Sequence, residues 1–338
     1  MNRSRTMNTL YKVVLAVVGV LGFLCIILNP NNEKFDNIYE SRETKTFFSV
    51  YHQSLCEGKT KIREVSEVPR KCPQGGIVTV NQGGRLGNQI WEYASVWAVS
   101  KLTGLEPYVP GCIRNTIDEL FENLSIPALE DISHCEIRFV EVVKGLEAWS
   151  SPNQSIILPI YSRLFDIAVP FIEEIKMDFQ IRKTVLERCQ QILREAAKLS
   201  SYPAQTFVGV HVRRTDYMTY LNWKYQNVTI ADQSYFLRAM EIFEGKFENV
   251  IFVVLSDDLS WCRNAFSGKG NVYINKMGLG NSAVVDLALM ASCNHTIYDY
   301  GTYGDWGALL AGGDNIYFNL SVNPSAQMGK MLPNWSTI

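Results

Sequence analysis

The chain changes character along its length. Residues 13–28, VVLAVVGVLGFLCIIL, are an uninterrupted apolar run, and residues 31–72 are polar, charged and weakly periodic. Periodic order begins at IVTVN (77–81), which reads as a strand. QGGRLGN follows as a glycine-rich turn, and NQIWEYASVWAVSKLTG as an amphipathic helix closed by Gly104. Residues 105–200 yield one clear element, a helix over 180–199 rich in good helix formers. A second block then opens with the strand TFVGVHV (206–212). In NVIFVVLSDD (249–258), six consecutive apolar residues predict a strand buried on both faces of a parallel sheet. NVYIN (271–275) is a shorter strand, SAVVDLALMASC (282–293) a helix, HTIY (295–298) a strand, and GTYGDWGALLAG (301–312) a loop entering a helix.

Strands alternating with helices imply an α/β fold with a mostly parallel, doubly wound sheet. The polar turn LSSYPAQ (199–205) divides an N-terminal α/β domain, 75–202, from a C-terminal one, 203–338. No internal repeat is evident. The apolar run, counted from Leu10 and preceded by Arg3, Arg5 and Lys12, approaches the length of about 20 residues that spans a bilayer. Its positive flank predicts a cytoplasmic tail at 1–12. NPNNEKF after it carries no small-x-small cleavage pattern, which favours an uncleaved signal anchor at 13–28 over a cleaved signal peptide. Residues 29–74 then form a stem.

Composition narrows the classes. The formal net charge of −2 argues against a nucleic-acid partner, so any bound anion must be held by a local cluster. Six Asn-x-Ser/Thr sequons, at Asn123, Asn153, Asn227, Asn294, Asn319 and Asn334, fit a chain exposed to the glycosylation machinery. Asn294 is the weakest of them. Cysteines at 56, 72, 112, 135, 189, 262 and 293 include no C-x-x-C pair. Disulfides are therefore expected in an oxidising compartment, with at least one thiol left over and the pairing open. With four histidines and no H-E-x-x-H, a hydrolytic zinc site is not expected.

The chemistry concentrates at strand ends, where ligands of open parallel sheets bind. TFVGVHV delivers His211, Arg213, Arg214 and Asp216, and the next strand delivers Ser256, Asp257 and Asp258. Gly301, Thr302 and Tyr303 open a helix whose N-terminal amides suit an anion. Two arginines and a helix start converging on one crevice would fit a diphosphate. Plainer roles exist: solvated arginines, aspartates that cap the next helix, and glycines serving only a turn. GGRLGN fits neither G-x-G-x-x-G nor the Walker motif. No Asp-x-Asp occurs, so the common metal–diphosphate clamp is missing and arginine is its natural substitute.

Four blocks in order, GGRLGNQIWEYAS, VGVHVRRTDY, FVVLSDDLSWC and DLALMASCNHTIYDYGTYGDWGALLAG, resemble the α-1,2-fucosyltransferases of glycosyltransferase family 11 between residues 77 and 313. The resemblance implies a GT-B-like architecture of two Rossmann-like domains facing a cleft. It also implies a type II single-pass Golgi membrane protein with its catalytic part lumenal. GDP-β-L-fucose is the donor, a terminal galactoside the acceptor at its 2-hydroxyl, and transfer inverts the anomeric centre without metal or cofactor. Arg213 and Arg214 would hold the diphosphate, with His211 and Asp216 organising their loop. Asp257 and Asp258 would face the nucleoside, and Thr302 with its neighbouring amides would complete the phosphate site. Gly83, Gly84, Arg85, Gly87, Asn88 and Gln89 would close over donor or acceptor from the N-terminal domain. Asp216 and Glu92 are candidate general bases, although orienting the arginines is the expected role of Asp216. Two departures bear on the acceptor: Asp305 stands where the family has an aromatic, and the loop MTYLNWKY (218–225) is unusually aromatic. Two other functions fit the same residues, fucosyl transfer in another linkage and a lumenal module that binds glycan or GDP-sugar without transfer.

Overall fold

The computed structural model describes residues 55–56, 70–137, 155–202, 205–225, 228–274, 282–320 and 325–338. The expected anchor at 13–28, most of the stem, and the sequons Asn153 and Asn227 lie outside these residues. Among the described residues no helix is long and apolar enough to cross a membrane.

The N-terminal unit runs β1 (Ile77–Val80), α1 (Leu86–Thr103), β2 (Glu106–Pro107), α2 (Gly111–Ile117), β3 (Phe121–Glu122), β4 (Ile156–Leu158), α3 (Phe165–Ala168), α4 (Ile172–Asp178), β5 (Gln180–Ile181) and α5 (Lys183–Ala197). The C-terminal unit runs β6 (Thr206–Val212), α6 (Thr215–Lys224), α7 (Gln233–Lys246), β7 (Val250–Ser256), α8 (Leu259–Ala265), β8 (Val272–Ile274), α9 (Ala283–Ala291), β9 (His295–Tyr298), α10 (Thr302–Ala311), β10 (Asn315–Tyr317), α11 (Ser325–Met331) and β11 (Trp335–Thr337). The larger sheet has the order β11-β10-β9-β6-β7-β8 and the smaller β2-β1-β4. Every pairing within these two sheets is parallel. Only the two-residue strands β3 and β5 pair antiparallel.

Burial on both faces explains the apolar run of β7. Ile251, Val253 and Leu255 enter one core with α9 and α10, while Val250, Phe252 and Val254 enter a second core with α7. The first core continues into the N-terminal unit. There Trp91 of α1 meets Trp306 of α10 at 4.7 Å between ring centroids, and Trp306 meets Phe179 at 5.1 Å. α5 precedes the boundary expected at 202/203 yet packs against α9 and β7, so a cut there would strip a helix from the larger sheet.

Three expectations change. The helix expected over 180–199 begins at Lys183, because Gln180 and Ile181 pair with β3 first. The stretch expected as an aromatic loop after the arginines is the helix α6, whose Leu221 is buried. It contains no glycine or proline, and its rings hide the helical period. The stem does not end free of the globule: Cys56 is bonded to Cys112 and Cys72 to Cys135. Closing loops of this length typically stabilises a fold by about 2–4 kcal/mol. Cys189, Cys262 and Cys293 remain as buried thiols. Of the described sequons, Asn123 and Asn319 are exposed. Asn294 accepts from the Phe207 N–H, and Asn334 donates to the Gly312 and Gly313 carbonyls.

Candidate active site

Strand order locates the crevice. From β6 the chain winds through β7 to β8 and then returns to β9 on the other side of β6. Loops after β6 and β9 therefore part at a topological switch point, where ligands of such sheets bind. The β6 loop carries Arg213 and Arg214, and the β9 loop carries Asp299, Tyr300 and Gly301.

Carboxylates anchor the arginine loop by its backbone. The Arg213 N–H donates to Asp299 Oδ2 at 2.7 Å, and the Arg214 N–H to Asp257 Oδ1 at 2.8 Å. Asp257 Oδ2 also accepts from the Thr215 hydroxyl at 2.6 Å. The two guanidinium groups then diverge. Arg213 is paired with Asp216 and lies 3.5 Å from Asp257. Arg214 sits over the Trp261 ring, 4.1 Å from its centroid, and Nη1 donates to the Ala231 carbonyl at 3.4 Å. Among the described residues the partners of the Arg213 guanidinium are carboxylates, which an anionic ligand can exchange, whereas Arg214 is held by an aromatic face. Asp258 takes the plainer of its roles and caps α8, accepting from the Trp261 N–H at 2.9 Å. The Ser256 hydroxyl accepts from the Asp258 N–H at 2.9 Å.

Below the arginines, His211 is buried and packs against Tyr303, its ring tilted with centroids 5.0 Å apart. Its Nδ1 has no hydrogen-bond partner among the described residues and lies 3.9 Å from Asp299 Oδ1. Burial, aided by the Arg213 charge, pushes its pKa down to about 4. His211 is therefore neutral near pH 7 and contributes packing rather than charge. Burial drives the Asp299 carboxyl well above its ordinary range, against the backbone N–H groups of Arg213, Tyr300 and Asp299 itself, which pull it down. Asp299 was not a candidate from sequence. The available signal was an acidic residue at a strand's end directly before the glycine-bearing loop, in TIYDYGTYG.

The opposite wall is the loop between β1 and α1. Gly84 has φ +65°, a conformation favouring glycine, and its carbonyl accepts from Gln82 at 3.1 Å and Gln89 at 3.2 Å. Gly87 permits the two units to touch. A Cβ there would lie 2.7 Å from the Tyr303 backbone nitrogen and 2.8 Å from the Thr302 carbonyl carbon. The Thr302 hydroxyl donates to Asn88 Oδ1 at 3.0 Å. The N-terminal turns of α1 and α10, one from each unit, consequently abut, which brings the positive ends of two helix dipoles side by side. Arg85 reaches across to Asp216 at 3.1 Å but is 78% exposed.

Glu92 does not face the crevice. It is fully buried, and Oε1 accepts from the Gly83 N–H at 2.8 Å and the Tyr161 N–H at 3.1 Å. A carboxylate so placed braces a loop and does not reach a substrate hydroxyl. Asp305 is likewise internal, 1% exposed, and accepts from the Tyr298 hydroxyl at 2.8 Å. Its substitution for an aromatic changes the core of α10 rather than the crevice wall. The rings of α6 form a series outward from the crevice. Tyr300 is followed by Tyr217 at 4.7 Å, then Tyr220 at 5.3 Å and Trp223 at 6.4 Å between centroids.

A model of the family described as glycosyl transferase family 11 matches residues 42–338. Galactoside 2-alpha-L-fucosyltransferase SEC1 of Bos taurus is 33% identical over 284 residues, covering 79% of this chain and 75% of the relative. Galactoside alpha-(1,2)-fucosyltransferase 2 of Pongo pygmaeus is 34% identical over 320 residues, covering 87% of this chain and 91% of the relative. Among solved structures, a mutant of Arabidopsis thaliana FUT1 in complex with GDP superposes with a TM-score of 0.50 at 12% identity, covering 77% of this chain and 74% of that one. At that identity the likeness speaks to the fold alone.

Proposed function

The chain belongs to glycosyl transferase family 11, and on that premise we propose that it transfers L-fucose from GDP-β-L-fucose to the 2-hydroxyl of a terminal galactoside. The observation that carries this reading is the Arg213 guanidinium, paired with the carboxylates of Asp216 and Asp257, beside the abutting starts of α1 and α10. A diphosphate entering there would replace Asp216 as the partner of Arg213 and meet the amides of Thr302 and Tyr303. Arg214, stacked on Trp261, lies toward the nucleoside side, with Asp257 holding the loop between them. The two units act as the facing halves of a GT-B-like cleft, donor on the C-terminal side.

The acceptor oxygen attacks fucose C1 on the face opposite GDP. The bond from C1 to the β-phosphate oxygen breaks, and GDP carries away the electron pair. The centre inverts, and the hydroxyl proton passes to a base or to water. Arg213 and the helix amides stabilise the charge growing on the leaving phosphate, the kind of preorganised contact in which one donor contributes about 10²–10³ in rate. These donors supply the role a divalent ion plays in other sugar-nucleotide enzymes, so the reaction needs no metal. Asp216 orients Arg213 and Arg85 before the donor enters, with one oxygen engaged by each guanidinium group; the diphosphate that takes over Arg213 releases Oδ1. The apolar run at 13–28 anchors the protein in the Golgi membrane as a single-pass type II protein with the enzyme lumenal.

The test is a transfer assay on the full-length chain in detergent, with GDP-fucose and a panel of β-galactosides, with and without EDTA. EDTA-resistant product with fucose on the galactose 2-hydroxyl is expected. Product in another linkage would replace the acceptor reading. Donor binding without transfer to any galactoside would leave a binding module.

A further inference from the structure

The smaller sheet has a switch point of its own. β1 lies between β2 and β4, so the loops after β1 and β4 open onto one crevice. The first is the glycine loop. The second carries Tyr161, three positions beyond the last residue of β4. Tyr161 combines features that a core or surface tyrosine rarely shows together. Its φ is +61°, an outlier for a bulky side chain. It is nevertheless 46% exposed. Part of the ring occupies the space where side chains at Gly83 and Gly84 would stand, with its Cε1 2.9 Å from both Cβ positions. Its N–H is held by the same buried Glu92 oxygen that holds Gly83. Strained backbone persists where the surroundings over-determine it, and such positions cluster at ligand-binding sites.

The neighbours place this ring on the crevice wall. Arg85, beyond the glycines, pairs with Asp216 of α6. Arg163, two residues after Tyr161, is near enough to act on the Tyr217 phenol of the same helix. Tyr161 therefore stands on the N-terminal side of the gap that Arg213 borders on the other.

We propose that Tyr161 binds the acceptor sugar, its exposed ring stacking on the apolar face of the galactose. The inference rests on the galactoside reading above. In a galactopyranoside the axial 4-hydroxyl leaves C3–H, C4–H and C5–H on one face as an apolar patch. A flat aromatic ring matches that patch. Stacking there leaves the equatorial 2-hydroxyl at the sugar's edge, free to point at the donor. Glu92 is the positioning residue that fixes ring and glycine loop as one unit.

The experiment is steady-state kinetics on the full-length enzyme in detergent, varying a phenyl β-D-galactoside at saturating GDP-fucose and then the donor at saturating acceptor. Tyr161→Ala is expected to raise acceptor KM roughly three- to tenfold, the range an aromatic contact supplies. Donor KM should stay within about twofold, because the lost contact belongs to the acceptor alone. Tyr161→Phe should restore acceptor KM. Tyr161→Gly accepts the positive φ without strain, so it should share the alanine variant's KM while melting no lower. That separates ring loss from backbone damage and keeps the test valid should the alanine variant fold poorly. An unchanged acceptor KM in the glycine variant, or equal rises for donor and acceptor, would overturn the proposal. Failure of the wild-type enzyme to transfer fucose to any galactoside would remove the underlying reading, and the inference with it, before any variant is compared.

Discussion

The two loops that face each other across the crevice are built alike and held differently. Each follows a parallel strand, β1 or β6, and leads into a helix whose N-cap, Arg85 or Arg214, makes no side-chain capping bond. Each is fastened by carboxylates gripping backbone N–H groups. For the glycine loop the carboxylate is Glu92, nine residues along the chain in the adjoining helix. For the arginine loop the carboxylates are Asp257 and Asp299, 43 and 86 residues away at the ends of β7 and β9. The first loop is thus a local device, and the second exists only once three strands have paired. Each is thus positioned through its backbone, and the side chains of Arg213 and Tyr161 are carried on loops already held in place.

Substitutions that separate fastening from function sharpen this contrast. The largest effect belongs to Arg213→Ala. Its side chain adds only partly exposed ion pairs to the backbone bonds that anchor the loop, so kcat should fall by about 10²–10³. Thermal melting should move little, and a large loss of melting temperature would show that the guanidinium is structural. His211 tests the packing below. Its folded pKa of about 4 lies under the ordinary value of 6.5. The unfolded chain therefore takes up a proton as pH falls below 6.5 while the folded chain does not until about pH 4. Its stabilising contribution is complete above pH 6.5 and declines toward pH 4, by up to roughly 3 kcal/mol. Urea melts of wild type and His211→Gln at pH 7 and pH 4.5 measure the difference in slope. Asp299, whose raised pKa imposes the opposite slope, is present in both proteins and largely cancels in that difference. Parallel pH profiles would show that His211 does not titrate as stated.

Gly87→Ala probes where the loops' helices meet. The new methyl would face backbone atoms that cannot rotate aside, so a loss of about 1–3 kcal/mol is expected, together with lower kcat. Unchanged melting would mean that α1 and α10 separate at no cost. Arg85→Ala should matter least. The pair with Asp216 is exposed, and such pairs contribute about 0–1 kcal/mol. Its effect on melting should vanish in 0.5 M salt, to be checked by comparing melts at both salt concentrations.

Much of the site was legible because its parts are contiguous. Glycines 83, 84 and 87, the doubled arginines, and Gly301–Thr302 each sit in one short block after a strand whose apolar pattern is plain. The rest was not legible, for identifiable reasons. α6 reads as a loop because Tyr217, Tyr220 and Trp223 obscure its amphipathic period. Asp299 is a lone acidic residue at a strand's end inside one of the family blocks, overshadowed by the glycines after it, and Tyr161 is a single residue with no motif around it. Asp305 invites a functional reading by its charge alone, yet it is buried against Tyr298. Glu92, a carboxylate beside a glycine loop, could serve as base or brace until its neighbours were known.

By itself the sequence determined the alternation of strands and helices, the strand ends at which charge accumulates, and the family's blocks in order. These follow from local periodicity, chain connectivity and residue chemistry. Only the tertiary structure decided that β9 returns beside β6, that Asp299 anchors Arg213 while Asp258 caps α8, and that Tyr161 comes to rest on Gly83 and Gly84. Strand order and register depend on which hydrophobic faces bury each other across long separations, and no short stretch of chain encodes that choice.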